Sequence, residues 1–215
     1  IALYALFLLY PMAYLIRQSV LDPDTGSFTL AYFTKFFSKS YYFDTLINSF
    51  KVSITATVLS IAIGTPLAYL FTIFKIKGKP VLNILIVVAS MSAPFIGAYS
   101  WILLLGRSGI ITTFFKNLGI AIPDIYGFGG IVLVMTLQLF PLVFLYAKGA
   151  LKNIDNSLIE AAENLGCSGI ACFFKVVVPL IMPTLLAAAL LVFMRSFADF
   201  GTPMLIGEGY RTFPV

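Results

Sequence analysis

The chain has 215 residues, 60% of them hydrophobic and only 11% charged, with a formal charge of +5. A soluble domain carries roughly a quarter charged residues, so this composition excludes an ordinary aqueous surface and calls for helices that face lipid. With no histidine in the sequence, His-based acid–base catalysis and His-ligated metals are excluded from this segment, and the small, dispersed basicity gives no case for nucleic acid.

Length and lack of charge predict five membrane spans. The first runs from Ile1 to about Ile16, starting inside an apolar run without a Met. It lacks the basic start and small-residue cleavage site of a signal peptide. Arg17 to Asp44 follows, with Asp22-Pro-Asp-Thr-Gly26 as a strong turn signal. The second span covers about Thr45 to Phe74; Asn48, Ser49 and Lys51 make its first turns polar and place them at the outer interface. Gly64-Thr-Pro66 interrupts its regularity. A short basic loop, Lys75 to Pro80, leads to the third span, Val81 to about Leu105. There Ala89, Ser90, Ser92 and Ala93 permit close packing, and Pro94 and Gly97 are further irregularities. Gly106 to Phe128 is broken by glycines around an amphipathic Ile110 to Leu118. The fourth span runs from about Gly129 to Ala147, and the fifth from Pro179 to about Phe200. The stretch between them, Lys148 to Val178, is polar and reads as helix. Cys167 and Cys172 lack the second pair that a zinc site needs and read as thiols packed in a reducing compartment.

These elements predict an all-α fold, a polytopic transmembrane helix bundle forming one domain over 1–215. Val215 ends without a closing helix, so the expectation is a domain incomplete at both ends, with a sixth span beyond it. Three lysines within five residues at Lys75, Lys77 and Lys79 put that loop in the cytoplasm. Alternation then puts 148–178 on the same side.

Within 148–178 the local chemistry is specific. Ser157 lies three residues before Glu160, the spacing of a capping box, and Asp155 is a competing N-cap. Ala161 and Ala162 favour helix, and Gly166 supplies a C-cap. A second helical run, Ser168 to Lys175, returns the chain to the membrane at Pro179. The result is a protruding helix–Gly–helix elbow, with two small alanines beside Glu160 and Glu163, suited to docking in a groove of another protein.

Glu160-Ala161-Ala162, three residues, Gly166, nine residues, then Val176-x-Val178-Pro179 resembles the EAA loop of binding-protein-dependent ABC importer permeases of the type I fold. In that family the pattern ends Ile-x-Leu-Pro, so valine replaces two aliphatic positions here. The resemblance implies that Glu160, Ala161, Ala162, Glu163, Gly166 and Pro179 belong to a coupling helix seated in a cytoplasmic ATPase dimer. It also implies a second permease domain, fused or separate, an extracytoplasmic solute-binding protein, and a multi-pass place in a prokaryotic inner membrane. No nucleotide-binding Gly-x-x-x-x-Gly-Lys-Ser/Thr occurs, so ATP hydrolysis falls to the partner and the chain is a transport subunit, not an enzyme. No resident cofactor or metal is expected.

Polar groups within spans are the candidates for a solute pathway. Arg195 and Asp199 are i and i+4 on one helix, and read either as an ion pair that satisfies itself near the outer interface or as pathway and gate residues. Gln138 lies three residues before Pro141, which should kink its helix, and either lines the pathway or bonds across helices. Ser196 to Pro203 and the following Met204 to Pro214 resemble the iron(III)-type permeases, related to those for polyamines and 2-aminoethylphosphonate. The resemblance makes iron(III) the leading solute, with phosphonate or polyamine as the alternative. An ion-gradient-driven secondary transporter is the rival class, but it needs intramembrane carboxylates and only Asp199 is on offer. A membrane enzyme would lack machinery, and no filter-like loop favours a channel.

Overall fold

The computed structural model describes residues 3, 5–22, 26–74, 77–91, 93–120, 123–167 and 169–215. Ile1, the turn residues Pro23, Asp24 and Thr25, Lys75, Ser92 and Ser168 lie outside the described residues, as do the side chains of Ala5, Asn156, Glu163 and Ile170. The chain divides into two compact units, residues 1–47 and 48–215.

The first unit opens on a π-helical turn, Ala5–Leu9, that runs into α1 (Tyr10–Val20). An isolated bridge joins Leu21 to Phe28, and Gly26 adopts φ +67° as its N–H donates to the Asp22 carbonyl. This closes the turn that the sequence signals there. Helix α2 (Ala31–Ser38) follows, and α3 (Ser40–Ile73) starts in this unit and runs on into the second.

The second unit continues with α4 (Lys79–Ser90), α5 (Pro94–Leu105), α6 (Ile110–Asn117) and α7 (Phe128–Lys152). After α7 come α8 (Asn156–Asn164), α9 (Gly169–Cys172), a π turn Phe173–Val177, α10 (Val178–Phe197) and α11 (Gly201–Ile206). Among the described residues four stretches are long and apolar enough to cross a membrane: Ser40–Ile73, Pro94–Asn117, Phe128–Lys152 and Phe173–Phe197.

Two expected spans differ from this. The first, near Ile1–Ile16, lies partly outside the described residues; its described part includes the π turn Ala5–Leu9 followed by 11 α-helical residues that run on to Val20. The third, Val81–Leu105, is two helices. Met91 caps α4, and Ala93 is extended (φ −68°, ψ 142°) before Pro94, because the proline ring clashes with a helical predecessor. At 12 residues, α4 is about 18 Å long, short of the ~30 Å hydrocarbon core. The remaining differences are at ends. Helix α7 runs unbroken through Pro141 and on to Lys152. The last span begins before Pro179, with α9, the π turn and α10 consecutive. Pro179 has no N–H to offer the carbonyl four residues back, and a widened π turn sits where that bond is missing.

The packing of α7 on α10 forms the centre of the unit. Ile181, Leu185, Ala188 and Val192 form the buried stripe of α10, whereas Leu186, Leu190 and Met194 are exposed, as a lipid-facing side requires. On α3 a stripe of small hydroxyl residues is buried at Ser49, Ser53, Thr57 and Ser60, with the i, i+3 and i+4 spacing of one helix face. Small side chains there let helices approach. At Gly64 an added Cβ would lie 2.9 Å from the Phe140 carbonyl oxygen and 2.9 Å from Val143 Cβ.

The two ends of the bundle are distinguished by their polar contacts. At one end Lys148 Nζ donates to Asn83 Oδ1, which joins the end of α7 to the start of α4. At the other, Arg107 binds Asp124 (3.0 Å) and Glu208 (2.8 Å) and sits over the Tyr126 ring. The Gly127 N–H donates to the Ile206 carbonyl at that same end. The tail reaches back to α3, where Ser49 Oγ accepts from the Phe213 N–H and Asn48 Nδ2 donates to the Arg211 carbonyl.

Gly64→Ala is expected to destabilise the protein by about 1–3 kcal/mol, because neither the carbonyl nor the branched Val143 can yield cheaply. Gly129→Ala, where a Cβ meets nothing within 4 Å, is expected to be neutral or slightly stabilising. Thermal unfolding in detergent compares the two.

Candidate functional site

Two features gather the residues singled out in the sequence: a cavity within the bundle, and the elbow between α7 and α10.

The cavity has a volume of about 470 Å³ and is lined by Pro94, Phe95, Gln138, Arg195, Asp199 and Gly201, among others. It forms where helices stop or change course: between α4 and α5, at the turn of α7 before Pro141, and between α10 and α11. Gln138 lies about 15 Å from one end of α7 and about 20 Å from the other, at 1.5 Å per residue. The cavity therefore opens near the middle of α7, a helix long and apolar enough to cross a membrane. A larger cleft of about 640 Å³ exists in the first unit, against Tyr14, Arg17, Gln18 and Asp22. It holds none of the in-span polar residues, so the smaller cavity is the better candidate.

Asp199 does not pair with Arg195; among the described residues no ion pair joins them. The carboxylate turns to the start of α11 instead. Its Oδ1 accepts from the N–H groups of Gly201 (2.8 Å) and Thr202 (3.2 Å), and its Oδ2 accepts from Thr202 Oγ1 (2.6 Å). These are orphan donors of a helix N-terminus, and a carboxylate is the natural acceptor for them. Arg195 is exposed and makes no hydrogen bond or ion pair among the described residues, and the half-buried Gln138 amide makes none either. The Phe95 ring packs on Gly201, where an added Cβ would lie 3.2 Å from it, and meets Phe200 edge to face.

The elbow is built by its caps. Asp155 wins the competition for the N-cap: its Oδ1 accepts from the Ser157 N–H at 3.0 Å. Bonds from Ser157 hold the Asp155 carboxyl below the usual carboxylate range. At the other end Gly166 has φ +84°, and the Cys167 N–H reaches back to the Ala162 carbonyl at 3.0 Å. That is the six-residue return of a Schellman cap. Ile159 packs against the core, while Glu160 and Ala161 are exposed, as are Leu158 (50%) and Leu165 (89%). Ala162 is half-buried, and Pro179 is exposed at the start of α10. Leu158 and Ala161 on α8 and Leu165 just past its end share one face, an apolar stripe left exposed among the described residues.

Comparison with known proteins agrees with this architecture. Residues 27–214 match the family model for the binding-protein-dependent transport system inner membrane component. The chain belongs to this family. It is therefore a multi-pass inner-membrane transport component, not an enzyme. Among curated relatives, the ferric transport system permease protein FbpB of Actinobacillus pleuropneumoniae is 28% identical over 213 residues, 98% of this chain and 31% of its own length. The spermidine/putrescine transport system permease protein PotB of Haemophilus influenzae is 29% identical over 209 residues, 94% of this chain and 73% of its own length. The chain thus spans about a third of the ferric relatives it matches. A crystal structure of a bacterial ABC transporter involved in the import of alginate shares the fold, with TM-score 0.68 and 16% identity over 99% of this chain and 76% of that one.

Gln138, Arg195 and Asp199, singled out in the sequence, line one cavity, but two local facts are not visible in the sequence reading. The cap made by Asp199 was hidden because α11 was not foreseen; Asp199-Phe-Gly-Thr202 is a recognisable start signal for a short helix, Asp followed by donors two and three residues on. Phe95 as a cavity wall carried no signal, since its role depends on the break before Pro94.

Asp199→Ala should raise amide exchange at Gly201 and Thr202 by about tenfold, the loss of one helix cap, and Asp199→Asn by less, since one acceptor remains. Hydrogen exchange read by mass spectrometry measures both. At the elbow, a folded-state carboxyl held low means that the cap's contribution is fully present above the ordinary aspartate range and is lost as pH falls through the lowered value. Protection of 156–164 should therefore be flat from pH 7 to 5 and fall only in stronger acid.

Proposed function

We propose that this chain is the membrane-spanning permease portion of an ATP-driven importer, in which α8 is the contact that a cytoplasmic ATPase moves and the mid-membrane cavity is part of the solute path. One observation carries the reading: a short helix, capped at both ends and anchored by Ile159, exposes an apolar face between two long spans. Such a face in water needs a protein partner, and the firm caps let it transmit a displacement. Glu160, Ala161 and Gly166 would meet that partner, with Ala162 and Glu163 on the same helix and Pro179 setting where α10 begins.

The orientation is supported by the Lys148–Asn83 contact, which brings the elbow and the basic Lys77–Lys79 loop to one end of the bundle. Clustered lysines favour the cytoplasmic side. A solute-binding protein would then meet the opposite end, and a second permease domain would complete the pathway. Iron(III) is the leading solute, on the likeness to FbpB and the resemblance of residues 196–214; a polyamine is the second reading, on the likeness to PotB, and a phosphonate the third.

The test is at Gly166. Its φ of +84° costs an L-residue about 1–2 kcal/mol, yet a Cβ would meet nothing within 4 Å, so strain and not collision decides. Gly166→Val should insert normally but hydrolyse ATP with little uptake in proteoliposomes, whereas Gly166→Asn, tolerant of this conformation, should keep most of its transport. Wild-type uptake by the valine variant would overturn the elbow's role.

A further inference from the structure

The cavity has a chemical bias that its two charged residues alone do not reveal. Arg195 and Asp199 cancel in formal charge, but their hydrogen-bonding capacities do not. Both carboxylate oxygens are occupied by three donors from the start of α11. The Arg195 guanidinium, with five N–H donors, has no acceptor among the described residues. The Gln138 amide brings two more donors and one acceptor, likewise unengaged. Pro94, Phe95, Phe200 and Gly201 add a largely apolar frame, in which the Ser90 hydroxyl donates to its own helix at the Val87 carbonyl. The open space therefore has more unengaged donors than unengaged acceptors: Asp199 keeps its negative charge but spends most of its accepting capacity on α11, whereas Arg195 is the charged group left without a bonding partner among the described residues.

We infer that the solute passing this cavity bears an oxyanion, a carboxylate or phosphonate group presented to Arg195 and Gln138, and is not a polyamine. The inference rests on the importer reading above. For ferric iron it means passage as an anionic oxygen-donor chelate, since a bare cation would meet an uncompensated guanidinium. A polyamine brings only donors and positive charge to a wall that already has both. Guanidinium forks bind carboxylate and phosphate-type groups with two parallel bonds, which gives the site a reason to use arginine.

The experiment measures ATP-driven uptake by the assembled transporter, with its ATPase and binding protein, in proteoliposomes. Three labelled probes are used: ferric citrate, 2-aminoethylphosphonate and spermidine. The wild type is expected to carry one of the two oxyanion probes and not spermidine, the two arms separating chelate from phosphonate. Arg195→Gln should lower the initial rate about tenfold, in line with loss of a charge-assisted bond, while Arg195→Lys, which keeps the charge but loses the two-pronged geometry, should fall by about threefold. Retention by the lysine variant shows that the glutamine variant has not simply misfolded. Spermidine uptake by the wild type, a glutamine variant as fast as the wild type, or no uptake of any probe would each overturn the inference. ATP turnover that still responds to Gly166 substitution in those cases would leave the importer reading in place.

Discussion

Hydrocarbon offers a peptide group nothing to bond with, so every interruption of a helix within a bilayer must be satisfied by the protein itself. That constraint organises this domain. The chain stops at Ser90 and restarts at Pro94, and it stops again at Phe197 and restarts at Gly201. Both interruptions open on the same cavity. At the second, the freed N–H groups of α11 are taken by Asp199; at the first, a proline removes one donor from the account altogether. Irregular backbone at membrane depth is tolerated where it is buried in protein or lines a cavity, and here it does the latter. The same need explains why an acidic residue survives in an apolar segment: Asp199 is held by donors that would otherwise be orphans.

Outside the bilayer the constraint reverses. Water satisfies any backbone, so a connecting segment there can be loose, and yet α8 is tied at both ends, by Asp155 at the start and by the left-handed Gly166 at the finish. Its inner residue Ile159 is anchored in the core, while Leu158 and Leu165 stand in the open. A segment that merely returned the chain to the membrane would have no reason to expose two leucines on a rigid helix. The exposed face and the firm caps together are what the proposed docking role of α8 would require.

How much of this was legible in the sequence follows from the range of the forces involved. Caps and turns act over three to six residues, so Asp155, Gly166 and the closure around Gly26 were readable from local spacing, although only the structure decided between Asp155 and Ser157 as the N-cap. The spans near Thr45–Phe74, Gly129–Ala147 and Pro179–Phe200 were readable from hydropathy, because lipid imposes them segment by segment, whereas hydropathy alone ran α4 and α5 together. The break before Pro94 was half visible: the proline was evident, but whether a proline kinks a helix, as Pro141 was expected to, or ends it depends on what packs around it. The pairing of Arg195 with Asp199 was the reasonable local expectation at i, i+4, and it failed because a competing set of donors from α11 lay three residues further on. Convergence of Gln138 with Arg195, 57 positions apart, is a tertiary fact that no single-sequence pattern encodes.

The two halves of the candidate machinery are joined by one continuous element. From Gly169 through the π turn to Phe197 the chain is helical without a gap, a rod of about 40 Å at 1.5 Å per residue. One end of that rod packs against the elbow, and the Tyr69 ring packs at a tilt on Phe173, joining it to α3. The other end carries Arg195 into the cavity and, one turn on, Asp199 into the cap of α11. A displacement of α8 therefore has a path to the cavity that crosses no loop. The π turn beside Pro179 is one place along that rod where the hydrogen-bond ladder is irregular, and Pro183, which has no N–H to give, is a second just beyond it; an irregular ladder is where a helix bends or changes register most cheaply. Force applied at the elbow would then be divided at this turn between sliding the rod and tilting it, and the tight packing of α10 on α7 above it favours motion of the rod as a unit, carrying the guanidinium with it.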